Sequence, residues 1–198
     1  PPHQSSAASD VYKRQAADNS GWSVSIDSDG SHVAIGAPFN DENGSYSGHV
    51  RIYSWDGSAW SQVGNDIDGE AAYDESGRSV SIDSDGSHVA IGAIYNGGTA
   101  SYAGHVRIYS WDGSAWAQVG NDIDGEAASD YSGYSVSIDS DGSHVAIGAY
   151  LNDGSEPQAG HVRIYSWDGS AWTQVGNDID GEACLLYTSP SPRDMWTS

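Results

Sequence analysis

Polar and apolar residues alternate over short stretches of this chain, and the stretches return every 56 residues. In Ser23-Val24-Ser25-Ile26-Asp27 every second residue is apolar, the period of a strand with one buried face. A turn at Asp29-Gly30 leads into His32-Val33-Ala34-Ile35-Gly36-Ala37, with branched residues on one side and Ala/Gly on the other. That stretch predicts a strand buried on both faces, its small side letting another sheet approach closely. After a loop, Pro38 to Ser47, a third strand is expected over Gly48 to Trp55, then a turn at Asp56-Gly57 and a fourth strand over Ala59 to Val63. Gly64 to Ser76 reads as an acidic loop, and no 3.6-residue helical period appears.

The copies Gly21–Ser76 and Gly77–Ser132 differ at 11 positions, and a third copy starts at Gly133. Self-similarity at such a period marks a repeat architecture. Four antiparallel strands are the unit of a propeller blade, and 56 residues bury too little to stand alone. The expectation is therefore all-β: three four-stranded blades of an incomplete β-propeller, at about 21–76, 77–132 and 133–183. Propellers close with about four to eight blades, so further blades of the full-length chain are expected around these three. Outer blades without neighbours should make the isolated chain self-associate.

The two ends break the pattern. Asp10 to Gln15 can be encoded by GATGTGTATAAGAGACAG, and the reverse complement with one flanking base translates as the Cys-Leu-Leu-Tyr-Thr-Ser of 184–189. Segments 1–15 and 184–198 therefore read as translated sequencing adapters, leaving 16–183 as the repeat array. The single cysteine, Cys184, falls outside that array, so neither thiol nor disulfide chemistry is expected within it.

Charge narrows the partners. The 198 residues hold 28 Asp and Glu against 7 Lys and Arg, a net charge of -21. Such a field repels nucleic acid and anionic membrane surfaces. The 8 Trp and 12 Tyr supply enough apolar surface to argue against disorder. No run of 18 apolar residues is present, so membrane insertion is not expected. No signal peptide is visible, and the chain starts at Pro1.

Gly21-Trp22-Ser23-Val24, Asp29-Gly30, Ile35-Gly36-Ala37-Pro38 and Gly48-His49-Val50-Arg51-Ile52-Tyr53, in that order and three times over, resemble FG-GAP repeats, the blades of integrin α-chain propellers. The Phe that precedes Gly in the family is replaced by Ser20, Ser76 and Ser132, and Pro38 becomes Ile94 and Tyr150. The resemblance implies a seven-bladed propeller, extracellular or cell-surface placement, and protein or polysaccharide binding. Blades of WD40 type are similar to the same Ser-Asp-Gly-Ser stretches and are the competing family.

The resemblance also implies calcium, since many FG-GAP blades hold it in an Asp-rich hairpin. Here the hairpins supply Asp27 and Asp29, Asp83 and Asp85, and Asp139 and Asp141, while the last ligand position is Val33, Val89 or Val145. Calcium takes six to eight oxygens, so plain turns compete with cation sites there. A second acidic group, Asp66, Asp68 and Glu70 with Asp74, repeated at Asp122, Asp124, Glu126 and Asp130, could share a cation between blades or be solvated loop. His32/His49, His88/His105 and His144/His161 read as structural, because no third ligand type repeats beside them. Arg51, Arg107 and Arg163 each precede a same-face Tyr (Tyr53, Tyr109, Tyr165) and predict inter-blade Arg–Asp bridges.

Candidate ligand contacts are of two kinds. Trp55 and Trp60, Trp111 and Trp116, and Trp167 and Trp172 flank identical hairpins, where they would pair across strands or, if exposed, stack on sugars. The loops Pro38–Ser47, Ile94–Ala103 and Tyr150–Ala159 vary most between copies, which puts Asp41, Glu42, Tyr46 and Tyr102 on the surface free to differ. The function expected is a binding or adhesion module at the cell surface, without enzymatic activity of its own. Its alternatives are the propeller of a secreted hydrolase or lyase, and a spacer in a long surface protein. Near-identical copies leave almost no unique polar residue for a nucleophile and its base.

Overall fold

The computed structural model describes residues 18–154 and 156–182; the adapter-like segments and Cys184 lie outside them. Each 56-residue copy forms its own antiparallel sheet. The first comprises β1 (Ser23–Ile26), β2 (His32–Ala37), β3 (His49–Trp55), β4 (Trp60–Gln62) and β5 (Ile67–Asp68). The second comprises β6 (Ser79–Ile82), β7 (His88–Ala93), β8 (His105–Trp111), β9 (Trp116–Gln118) and β10 (Ile123–Asp124). In the third are β11 (Ser135–Ile138), β12 (His144–Ala149), β13 (His161–Trp167), β14 (Trp172–Gln174) and β15 (Ile179–Asp180).

Strand order within a sheet is β1-β2-β3-β4, and β5 pairs with β3 as well. Trp60–Gln62 lies along Tyr53–Trp55, and Ile67–Asp68 along His49–Val50. The outermost strand is thus one edge broken in two, with Gly64 at positive φ in the break. The expected loop over Gly64–Ser76 therefore hides a two-residue strand too short to show a period. The β3–β4 turn is also centred one residue later than expected: Trp55 faces Trp60, and Asp56 Oδ1 accepts from the amides of Ser58 and Ala59 and from the Ser58 hydroxyl.

The sheets stack face to face. Ala34, Val50, Ile52 and Ile67 of the first meet Val80, Ile82, Val89, Ile91 and Tyr109 of the second. Ala90, Val106, Ile108 and Ile123 of the second meet Ile138, Val145, Ile147 and Tyr165 of the third. In the second strand of each sheet the branched residues thus face backward and the Ala/Gly residues forward, as its alternation predicts, while Val and Ile of the third and fifth strands fill the rest of the forward face. A Cβ on Gly36 would stand 2.1 Å from the Gly77 carbonyl oxygen, so only glycine admits so close an approach. Three open, stacked, all-β blades without a helix among the described residues make an incomplete propeller.

Candidate functional site

The repeat has two ends. One carries the tight turns and the Trp-Asp-Gly hairpins; the other gathers the β2–β3 loops and the connections between blades. Of the 11 positions at which the first two copies differ, all but Ser61/Ala117 fall in the segments that meet at this second end. The segments are tied together: Asn43 Nδ2 donates to Gly69 O at 2.7 Å, the Tyr73 amide to Ser45 O at 2.7 Å, and the Glu75 amide to Tyr46 O at 3.0 Å.

Aromatic rings cover this end. Trp22 meets Phe39 edge-on at 5.4 Å, Phe39 meets Tyr46 at 5.5 Å, and Tyr46 meets Tyr73 at 6.0 Å. Across blades two and three, Tyr95 contacts Tyr102 and Tyr131, and Tyr131 leads through Tyr150 to Tyr134. Arg78 lies 4.2 Å over Trp22 and pairs with Glu75 at 3.2 Å. Trp22, Tyr46, Tyr73, Tyr102, Tyr134 and Tyr150 are each between 44% and 62% exposed. These exposed rings form two groups at one end of the blades, outside the apolar clusters between the sheets, and make this end the candidate site.

Its backbone is held in an unusual shape. Tyr46, Tyr73, Tyr102 and Tyr131 have φ of 52°, 71°, 58° and 54°. Left-handed backbone at bulky residues is costly, and such outliers gather at functional sites. Asp41 stabilises the first of these kinks by accepting from the Tyr46 amide at 2.7 Å; Asp153 does the same for Gln158. Tyr46 and Tyr102 are therefore surface aromatics, as the loop variation suggested, whereas Asp41 acts within its own loop. Sequence reasoning missed Trp22, Tyr73, Tyr131, Tyr134 and Tyr150, although the same inter-copy variation marks their positions.

Deeper at the same end, each blade brings together a histidine and carboxylates. Glu42, His49, Asp66 and Asp68 cluster in the first blade; Glu70, His105 and Asp122 straddle the first and second; Glu126, His161 and Asp178 straddle the second and third. Nδ1 of His49, His105 and His161 sits 3.4–3.5 Å from its Asp Oδ2, out of hydrogen-bond alignment. Burial pushes the His49 imidazole below its ordinary value, with Arg51 adding to the effect and Asp66, Asp68 and Asp18 opposing it. His105 beside Asp122 holds that carboxyl low. Burial raises Asp68, with Glu42 and Asp66 adding to it. Asp124 belongs to β10 and contributes its backbone carbonyl to the next blade's arginine. A cation held by such mixed nitrogen and oxygen donors would be of the borderline type rather than calcium.

The hairpin carboxylates are differently employed. Asp27 Oδ2 takes hydrogen bonds from His32 Nδ1 at 2.8 Å and the Ser31 hydroxyl at 3.0 Å, and Asp29 Oδ1 from the Ser31 amide at 2.8 Å. Burial works against ionisation of Asp27, but the His32 and Ser31 bonds outweigh it and keep its pKa low. Asp83 and Asp85, and Asp139 and Asp141, repeat the arrangement around Ser87 and Ser143. Ser25, at the first ligand position of the family loop, accepts instead from the Ile82 amide of the next blade, and Val33 offers no donor atom. In the third hairpin Asp139, Asp141 and His144 still place three donor atoms together, whereas Val33, Val89 and Val145 offer none at the last ligand position of the family loop.

The tryptophans lie at the opposite end. Trp55 and Trp60, Trp111 and Trp116, and Trp167 and Trp172 face one another across the β3–β4 type hairpins, with ring centroids 5.5 Å apart in every copy. Trp116 Nε1 donates to Val63 O at 2.9 Å and Trp172 Nε1 to Val119 O at 2.8 Å, so these rings join blades.

Comparison with known proteins agrees with the fold. The model of the FG-GAP repeat matches residues 7–53 and 123–165. Comparison with curated proteins gave no match. Among solved structures, one provisionally described as a 6-phosphogluconolactonase from Bacteroides uniformis is 12% identical, with a TM-score of 0.53 over 79% of this chain and 40% of its own. A periplasmic gluconolactonase from Pseudomonas aeruginosa is also 12% identical, with a TM-score of 0.39, 83% of this chain and 58% of its own. The chain therefore spans well under two thirds of either, and at such identity the first likeness is one of fold alone. No helix among the described residues is long and apolar enough to cross a membrane. The sheets, their stacking and the family match agree: residues 7–53 and 123–165 match the FG-GAP repeat, and the three sheets are those of an incomplete β-propeller.

Proposed function

We propose that the aromatic end of these blades is the binding face of an extracellular or cell-surface recognition module, and that its ligand is a neutral polysaccharide. The observation that carries the reading is the coincidence of three features on one end: exposed tyrosines, left-handed backbone beneath them, and nearly all the variation between copies. Scaffold positions repeat unchanged, whereas a surface that reads a ligand is free to differ from blade to blade. Sugar rings stack on aromatic faces without needing a charge partner. An anionic glycan would meet the field of a chain with net charge -21. A basic protein is the other ligand class that this surface could attract. FG-GAP repeats favour a binding role over a catalytic one.

A glycan array probed with the chain and with Tyr102→Ala/Tyr150→Ala tests the reading. Binding to neutral glycans should fall at least tenfold in the double variant and stay level in Trp60→Ala, whose ring lies at the far end. Loss with Trp60→Ala and not with the tyrosines would move the site; binding to basic proteins alone would replace the ligand class.

A further inference from the structure

Two histidines at the junctions between blades lack the hydrogen bonds that a buried ring needs. His105 opens β8 and is 1% exposed, and neither of its ring nitrogens has a hydrogen-bond partner. His161 opens β13 and is 5% exposed, and its Nδ1 is without one as well. Buried polar atoms are nearly always paired. An unpaired imidazole at the same place in two blades therefore calls for a ligand.

The neighbours of these rings are carboxylates. Glu70 from the preceding blade and Asp122 from the start of β10 each bring an oxygen, and the three donor atoms lie within 4.8 Å of one another. Glu126, His161 and Asp178 repeat this at the next junction. In the sequence no third ligand type stands beside the histidines; folding supplies it from the blade before. Nδ1 of His105 is 3.4 Å from Asp122 Oδ2, and Nδ1 of His161 is 3.4 Å from Asp178 Oδ2. That spacing is long for a hydrogen bond. It matches the edge of a zinc tetrahedron, about 3.3 Å for zinc–nitrogen and zinc–oxygen bonds of ordinary length.

Further partners orient the carboxylates. Gln118 Nε2 donates to Asp122 Oδ1 at 2.7 Å and Gln174 Nε2 to Asp178 Oδ1 at 2.6 Å, which turns Oδ2 toward the histidine. Arg107 Nη1 lies 3.5 Å from Glu70 Oε1 and Arg163 Nη1 3.2 Å from Glu126 Oε1. Each arginine is itself anchored on a backbone carbonyl of that same preceding blade. Outer contacts of this kind hold ligands in place at metal sites.

We propose that each junction binds a divalent cation of the zinc type, one through Glu70, His105 and Asp122 and the other through Glu126, His161 and Asp178. An imidazole with two carboxylates suits zinc and its neighbours in the transition series, whereas calcium takes six to eight oxygens. Three protein ligands leave a fourth position to water. The glutamate comes from one blade and the other two ligands from the next, so the ion ties the blades together. None of these six residues belongs to the aromatic surface, and ion and glycan are separate ligands.

Calorimetric titration of the whole chain with zinc chloride tests this, in a Cys184→Ser background so that the thiol takes no metal. His105→Gln should lose one equivalent of bound zinc, and His105→Gln/His161→Gln should lose two. Glu70→Gln alters a side chain that is 44% exposed, so the fold should survive while one site weakens at least about tenfold. Zinc should raise the melting temperature of the parent chain more than that of the double histidine variant. Cobalt(II) in place of zinc should give the visible absorption of four-coordination, reduced in both single variants. No zinc uptake by the parent chain would overturn the proposal, as would uptake that neither His105→Gln nor Glu70→Gln changes. Uptake abolished by His144→Gln would overturn it too, by moving the ion to the third hairpin. Calcium bound at the junctions in preference to zinc would overturn the choice of cation.

Discussion

Arg107 reaches across the blade boundary and donates Nη2 to the backbone carbonyl of Asp68 at 2.9 Å. Arg163 does the same to Asp124, and both also approach a carboxylate of the preceding blade, Glu70 or Glu126. Among the described residues no blade precedes Arg51, which folds onto Asp66 of its own sheet instead, through Nε at 2.9 Å and Nη2 at 2.7 Å. The bridges expected from the sequence do join blades, but their partners are a carbonyl and a glutamate rather than an aspartate side chain. One residue type in three identical contexts thus serves two roles, decided by the presence of a neighbour.

That difference predicts unequal costs. Arg107 is buried, and truncating it strands a carbonyl and removes a charged hydrogen bond, worth about 2 kcal/mol. Arg51 is 36% exposed, and its pair with Asp66 is worth under about 1 kcal/mol. Urea unfolding of Arg107→Met and Arg51→Met should show the first markedly less stable than the second. Equal losses would mean that the cross-blade bond contributes nothing of its own.

Glycines in the second strand of each blade set the distance between sheets. A Cβ on Gly92 would stand 2.2 Å from Gly133 O, a backbone atom that cannot swing aside, whereas at Gly148 it would meet Ser135 Oγ at 2.4 Å, a side chain that can rotate away. Gly92→Ala should therefore cost about 3 kcal/mol and Gly148→Ala about 1 kcal/mol or less. Thermal melts of the two variants decide this, and similar shifts would count against close sheet approach as the reason for glycine.

Much of this architecture was legible because strand period and repeat period reinforce one another. The alternation Val33/Ile35 against Ala34/Gly36 announced both which face is bulky and that the other face is approached closely. The short strand at Ile67–Asp68 was not legible, since two residues hold no period and its pairing with His49–Val50 depends on β3 being already in place. The aromatic end was half legible. Inter-copy variation pointed to the β2–β3 loops, but Tyr73 and Tyr131 sit in the connections between blades, and only folding brings them beside Tyr46 and Tyr102. Composition alone could not separate stacking tryptophans from tyrosines. The structure adds that Trp116 and Trp172 bond backbone carbonyls across the blades, while Trp55 and Trp60 are 43% and 44% exposed.

His49 predicts a pH dependence. Burial lowers its pKa in the folded state from the ordinary 6.5, so the unfolded chain binds the proton more readily. Stability due to this group is complete above about pH 6.5 and is lost as pH falls through that value, with a slope of up to about 1.4 kcal/mol per pH unit. Asp27 and Asp66 have pKa values lowered from 3.8, so their contributions are lost only in a separate and more acidic window. His49→Gln should flatten the stability profile between pH 7 and 5 while leaving the decline near pH 3 in place. An unchanged profile between pH 7 and 5 would refute the buried neutral imidazole.

The left-handed tyrosines offer a test of whether the aromatic end is kept for binding or for folding. Tyr73 is 62% exposed with φ of 71°, and its ring makes one tilted contact, 6.0 Å from Tyr46. At the equivalent position of the next repeat, 56 residues on, Ser129 takes φ of 66° without any ring, so the kink does not depend on the tyrosine. Glycine adopts that backbone without steric penalty, and Tyr73→Gly should leave stability unchanged or raise it by up to about 1 kcal/mol, even though an aromatic ring has been deleted. The same variant should bind neutral glycans less well, because one stacking surface is gone. A stability loss above about 1 kcal/mol would show that the ring is part of the scaffold, and the strained tyrosines would then lose their standing as a sign of ligand recognition.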